Sequence, residues 1–196
     1  YRTNTMARMA RLGRADAIGL VLGKAIGRSE LPTGLLAGLE ESLDEHGKHL
    51  VVARFTDDQL ASDQVVPRLL RELLCDGLVI DYTHGSPDAL PQLIRDYRIP
   101  AVWVNRKMDV NCVRPDDHSA GRTAAEHLLK LGHTTIAMLC YGPSEADDLR
   151  LEHYSLLDRY HGYAEAMHRA GLAPELVLRP TGVPEAEQLR LATALL

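Results

Sequence analysis

The chain has 196 residues, 45% of them hydrophobic and 25% charged, with a formal net charge of −5. This composition is typical of a soluble globular protein, and the charge gives no reason to expect nucleic-acid binding by the chain as a whole. No apolar run approaches the roughly 20 residues that a membrane-spanning helix needs, and no export leader is visible, so we expect a cytoplasmic protein.

The cysteines exclude two further classes. Cys75, Cys112 and Cys140 are odd in number, widely dispersed and form no CxxC pair. A disulfide scaffold or a zinc ribbon needs paired, closely spaced cysteines. We therefore predict reduced thiols within a core and no metal site.

Positive charge is concentrated at the amino end. Four arginines precede the first acidic residue, Asp16: Arg2, Arg8, Arg11 and Arg14. A short basic arm of this kind can bind phosphates while the body of the protein stays acidic. Charge alone is equally consistent with a solvated tail.

Apolar runs alternate with helical patterns from residue 17 onward. In chain order, the first half predicts a strand at 17–22, a helix with leucines at 35–43, a strand at 50–55 and a helix capped by Ser62 with an apolar stripe at 65–74. Next come a strand at 77–80 and a helix begun by Ser86-Pro87, with Leu90, Leu93 and Ile94 as its buried face. Strands at 101–104 and 112–114 and a helix at 120–131 follow. Strands that are apolar throughout, joined by crossover helices, predict a doubly wound parallel sheet.

The same alternation starts again after Gly132. A strand is predicted at 136–140, a helix at 154–170, a strand at 177–178 and a helical pattern at 184–196. A sheet with so few strands is unfinished. We therefore predict an α/β protein with one subdomain at 16–132 and an incomplete second α/β subdomain at 133–196, and we expect the sequence to be a fragment.

Polar residues follow the predicted strands. Asp81 follows the third strand, Asn105 follows the fourth, and Arg159 lies in the opening turns of the helix after the 136–140 strand. Open parallel sheets bind ligands beyond the carboxyl ends of their strands, and these side chains suit a hydroxylated small molecule. Polar loops follow strands in most proteins, so this pattern alone leaves the existence of a site open.

Motifs for catalysis are missing. Residues 19–25 lack the spacing and hydroxyl of a phosphate-binding loop, and no GxSxG motif is present. Asp116-Asp117-His118 is a poor metal cluster, because adjacent residues seldom point at one ion, and Asp117 is better explained as a helix cap. Trp103 alternates with valines on a buried strand and is predicted to pack in the core. We expect no enzyme, no cofactor and no metal.

Short motifs occur in a characteristic order along nearly the whole chain. They are Tyr1-Arg2-Thr3-Asn4, Ala7-Arg8, Ile18-Gly19-Leu20-Val21, residues 99–106, Val113-Arg114-Pro115-Asp116, Gly132-His133 and residues 159–163. Each motif is weak alone. Together, in this order, they make the chain resemble the LacI/GalR (lactose-repressor) family of transcriptional regulators.

The resemblance implies a periplasmic-binding-protein-like fold and a repressor whose affinity for a DNA operator is controlled by a small molecule, a sugar or related metabolite. It assigns residues 1–15 to a DNA-binding hinge, with Asn4, Arg8 and Arg11 as DNA contacts. It assigns effector contacts to three residues: Asp81, Asn105 and Arg159. It also implies a homodimer, although the leucine-rich helix at 35–43 is equally consistent with ordinary core, and a helix-turn-helix head that this sequence lacks.

Two other readings stay open. A solute-binding protein of sugar transport shares the two-subdomain plan, but it would have an export leader in place of the basic arm at residues 1–14. A metabolic enzyme on a doubly wound fold is the second alternative, and it lacks a recognisable catalytic or nucleotide motif.

Overall fold

The computed structural model describes residues 14–25, 28–29, 31–62, 75–82, 87–142 and 153–180. The chain divides into two compact units, Tyr1–Arg114 and Pro115–Leu196, called unit 1 and unit 2 below. The boundary predicted from the sequence, at residues 132–133, would place the 120–131 helix in the first subdomain. In the structure that helix belongs to unit 2, for the packing reason given below.

Unit 1 contains a parallel sheet of five strands in the order β2-β1-β3-β4-β5. The strands are β1 (Ala17–Gly23), β2 (His49–Phe55), β3 (Gly77–Asp81), β4 (Ala101–Val104) and β5 (Cys112–Val113). Every pair is parallel, and the chain moves outward from β1 in both directions. This is the doubly wound sheet predicted from the uninterrupted apolar runs, which suit strands covered on both faces.

Three helices are described in unit 1: α1 (Thr33–Glu45), α2 (Asp57–Ala61) and α3 (Ala89–Asp96). The short α2 was not predicted; Thr56 caps it through a reciprocal capping box with Gln59. Ser62 ends α2, and the predicted helix at 65–74 lies outside the described residues. Asp88, one residue after the predicted Ser86-Pro87 start, occupies the cap position of α3.

The core of unit 1 lies between the central strands and α3. Val21, Ile80 and Trp103 are buried on β1, β3 and β4, and the α3 face predicted to be buried packs against them through Leu90, Leu93 and Ile94. Trp103 is therefore a core residue, as predicted. The leucines of α1 are only half-buried, and no residue of α1 is fully buried.

Unit 2 contains α4 (Asp117–Lys130), β6 (Ala137–Gly142), α5 (Tyr154–Arg169) and β7 (Glu175–Pro180), with β6 and β7 parallel. Buried Tyr163 ties the two strands together: its hydroxyl donates to the Ile136 carbonyl at 2.7 Å and accepts from the Glu175 amide at 2.8 Å. Burial raises the pKa of this phenol, so the hydroxyl stays a donor at neutral pH.

The α4 and α5 helices touch backbone to backbone. A methyl group on Gly121 would overlap the Arg159 carbonyl, and one on Gly162 would overlap the His118 carbonyl and lie 2.9 Å from the Arg122 nitrogen. Only glycine permits helices to approach this closely. The crossing makes α4 and α5 one packed pair, which is why the compact units divide before α4.

We expect Gly162→Ala to destabilise the protein by about 1–3 kcal/mol, because a methyl group at a backbone contact forces the helices apart. Chemical denaturation followed by circular dichroism measures this. Gly38→Ala is the matched control, since Gly38 lies within α1 with open space around it. That change should stabilise slightly through helix propensity. Equal effects of the two substitutions would contradict the close crossing.

Candidate functional site

Asp81 and Asn105 lie side by side at the carboxyl edge of the unit 1 sheet. Asp81 ends β3 and pairs in register with Val104, the last residue of β4, so Asn105 follows directly beside it. Asp81 is fully buried. Asn105 adopts a left-handed backbone with φ of 52°, and its amide donates to the Val113 carbonyl at 2.9 Å. The structure therefore brings these two predicted effector residues together at one edge.

Ser29 joins two strand ends at the same edge. Its hydroxyl donates to the Asp81 carbonyl at 2.5 Å and accepts from the Gly23 amide at 2.7 Å. One side chain thereby links the end of β1 to the end of β3. The sequence pattern did not single out Ser29.

A second network surrounds Asp57, the first residue of α2, two positions after β2 ends. The Tyr82 hydroxyl donates to one carboxylate oxygen of Asp57, and the Arg28 guanidinium donates to the other at 3.0 Å. Gly23 leaves space for the Tyr82 side chain, since a methyl group on Gly23 would lie 3.0 Å from the Tyr82 ring. The Asp57 side chain is 40% exposed, so an acceptor group remains accessible at the sheet edge. Sequence reasoning missed this network, whose members come from three separate segments.

Tyr82 holds its proton unusually tightly. Burial, followed by the hydrogen bond and the charge of Asp57, raises the pKa of Tyr82 to about 12, against a weaker opposing effect of Arg28. The neutral phenol therefore remains a donor to Asp57 throughout the physiological range. Together, the Asp57 carboxylate and the Arg28 guanidinium can exchange hydrogen bonds with a hydroxylated ligand.

Arg159 lies in the second turn of α5, in unit 2, as predicted. Its Nη2 donates to the Ser155 hydroxyl at 2.8 Å, and its Nε lies 3.1 Å from both the Ser155 carbonyl and Oδ1 of Asp117. Nearly half of the arginine side chain is exposed. The guanidinium is therefore held in one orientation while part of it faces solvent.

Asp117 has a different role from the predicted one. The side chain that caps α4 is Asp116, which accepts from the Ser119 amide at 3.0 Å. Asp117 begins the first turn and turns inward to pair with Arg159, because α5 crosses at that point. Its other oxygen, Oδ2, is buried and makes no hydrogen bond within the described residues. The helix-cap prediction for Asp117 is therefore wrong by one residue.

A half-open cavity of about 260 Å³ adjoins Arg159 within unit 2. Small residues of α4, among them Ala120 and Ala124, form one wall, and Ile136 and Met138 form another. Arg159 supplies the charged side chain in its described lining. The DNA-contact residues predicted from the resemblance, Asn4, Arg8 and Arg11, lie outside the described residues.

The chain combines a parallel α/β sheet that has polar residues at its carboxyl edge with a second α/β unit. This is the architecture of a ligand-binding α/β protein. A family model described as periplasmic binding proteins and sugar binding domain of LacI family matches residues 17–196, and the chain belongs to that family. A regulatory protein of the LacI family from Chloroflexus aggregans has a similar structure, with a TM-score of 0.66, 21% identity, and coverage of 84% of this chain and 58% of that one.

Named relatives in sequence are transcriptional regulators. The arabinose metabolism transcriptional repressor of Geobacillus stearothermophilus is 32% identical over 74% of this chain and 39% of its own length. The maltose regulon regulatory protein MalI of Escherichia coli is 30% identical over 86% of this chain and 47% of its own length. The chain therefore spans half or less of these relatives. Within the described residues, no helix is long and apolar enough to cross a membrane.

The raised pKa of Tyr82 predicts a loss of stability in alkali. The pKa of this phenol is near 10 in the unfolded chain and about 12 in the folded one. The free energy by which the protonated phenol stabilises the fold is therefore fully present below pH 10 and is lost as the pH rises towards 12. Urea unfolding across this range should show the decline, and Tyr82→Phe should reduce its slope. Tyr97→Phe, at an exposed tyrosine, is the control and should leave the slope unchanged. Identical slopes in both variants would contradict a tightly held Tyr82 proton.

Proposed function

We propose that this chain is the hinge and effector-binding region of a DNA-binding transcriptional repressor whose operator affinity is controlled by a small molecule of the sugar class. The observation that carries the proposal is the family match over residues 17–196, combined with a polar edge formed by Asp81 and Asn105. Relatives named as repressors of arabinose and ribose genes support the sugar class.

Asp81, Asn105 and Arg159 orient the effector in this proposal. A carboxylate and an amide offer acceptors and donors to sugar hydroxyls, and the guanidinium offers a planar set of donors. The support for Arg159 is its preorganisation by Asp117 and Ser155, which lowers the entropy lost when a ligand is bound.

The DNA contacts in this proposal are Asn4, Arg8 and Arg11, in a hinge that follows a helix-turn-helix head. The whole regulator acts in the cytoplasm as a homodimer on a two-fold operator. Effector controls it only through different affinities for two conformations. Couplings of this kind are typically about 1–3 kcal/mol, or roughly 5- to 150-fold in affinity. The transport alternative is not favoured, because the named relatives are regulators.

The proposal is tested with the full-length protein. Selection from random-sequence DNA should yield a two-fold operator, and a panel of pentoses, hexoses and disaccharides should contain a compound that changes operator affinity by about 5- to 150-fold. Electrophoretic mobility shift with each sugar measures this. Failure to select any sequence, or an operator affinity that no sugar alters, would count against a sugar-controlled repressor.

The role of Arg159 is tested by Arg159→Ala in the same protein. Loss of hydrogen bonds from a charged group should weaken effector binding on the order of 10- to 100-fold in calorimetric titration, with operator binding unchanged in the absence of effector. Arg169→Ala is the control, since Arg169 lies on the same helix, is exposed, and pairs with Glu165. Unaltered effector affinity in Arg159→Ala would remove this residue from the site.

A further inference from the structure

The Asp76 carboxylate holds the chain where it enters β1. This residue directly precedes β3, at the sheet edge opposite Asp81. One of its carboxylate oxygens accepts from the Ala15 amide at 2.6 Å, and the other accepts from the Asp16 amide at 3.1 Å. The contact joins residues that are about 60 positions apart in the sequence. A carboxylate that receives two backbone amides holds the chain at a defined point and in a defined direction.

Lys48 adds an ion pair to this contact. Its ammonium lies 3.2 Å from the Asp76 carboxylate and 3.9 Å from that of Asp16, so one cation bridges two carboxylates. Partial burial acts to raise the pKa of Asp76, but the Ala15 amide and the Lys48 ammonium outweigh it and hold the pKa below its usual value. The carboxylate is therefore ionised at neutral pH.

The backbone at this point is held on both sides. The Asp16 carbonyl accepts from the His49 amide of β2 at 2.9 Å, and the Ala17 carbonyl accepts from the Asp76 amide at 2.8 Å. Asp16 itself adopts a left-handed conformation with φ of 52°, which non-glycine residues rarely take unless their surroundings hold them there. The turn into β1 is thus determined by its neighbours in β2 and before β3.

We propose that Asp76 is a positioning residue for operator binding: by binding the Ala15 and Asp16 amides, it fixes the point and direction at which the chain enters β1. This rests on the proposed function, in which that segment contacts DNA. The strand β3 spans roughly 17 Å at 3.3 Å per residue and connects this contact to Asp81 at the opposite edge. In this proposal, a fixed backbone at Ala15 and Asp16 lets unit 1 orient the DNA-binding segment, and a mobile backbone there does not.

Hydrogen exchange directly tests the hydrogen bonds from the Ala15 and Asp16 amides to Asp76. In the full-length protein, Asp76→Asn removes the charge and one of the two acceptors, so the amides of Ala15 and Asp16 should exchange at least about tenfold faster. Asp76→Glu keeps the charge and should restore part of the protection. Asp44→Asn is the control: it removes the same charge from an exposed position on α1. Unchanged exchange in Asp76→Asn would overturn the proposal.

The positioning role is tested by DNA binding. With an operator selected by the unaltered protein, Asp76→Asn should lower operator affinity by about tenfold and leave affinity for random DNA of equal length unchanged. The thermal unfolding midpoint monitors folding, since a purely structural defect would lower it and weaken binding to both DNAs alike. Faster exchange with undiminished operator affinity would overturn the positioning role alone. A protein that selects no operator would contradict the proposed function and this role with it.

Discussion

Parallel pairing of β1 with β2 and β3 is the constraint on which unit 1 depends. When all strands run the same way, every chain entry lies at one edge of the sheet and every residue that follows a strand lies at the other. Asp76 and the entering chain therefore share one edge, while Asp81 and Asn105 share the opposite one. Burying the polar groups at these edges costs free energy, and hydrogen bonds between strands, such as those of Ser29, offset that cost.

Unit 2 depends on a different constraint, the absence of side chains at Gly121 and Gly162. The resulting close approach of α4 and α5 places Asp117 within 3.1 Å of Arg159. A buried carboxylate is costly unless it is paired, and the guanidinium of Arg159 provides that pairing. Packing and electrostatics are thus linked: the same helix crossing that closes the core also fixes the orientation of the arginine.

Much of the fold could be predicted because its strands are short, apolar and buried on both faces. The boundaries of β1, β3 and β4 agree with the sequence interpretation to within a residue, and the α3 face was identified from its helical spacing. The short α2 was missed because its signal, a capping box at Thr56, precedes too few residues to form an apolar stripe. Asp116 and Asp117 are adjacent and chemically alike, so only the crossing helix distinguishes the cap from the ion pair.

The sequence by itself determined the alternation of strands and helices and the polar character of the strand ends, because these are properties of neighbouring residues. It also determined the family, through the order of short motifs along the chain. Tertiary structure alone decided which polar groups meet. The contacts of Arg28 and Tyr82 with Asp57, and of Asp76 with Ala15, join segments about 25 to 61 residues apart. Such contacts arise from strand order and register, which no local pattern contains, and so the partners of each charge became visible only in the folded chain.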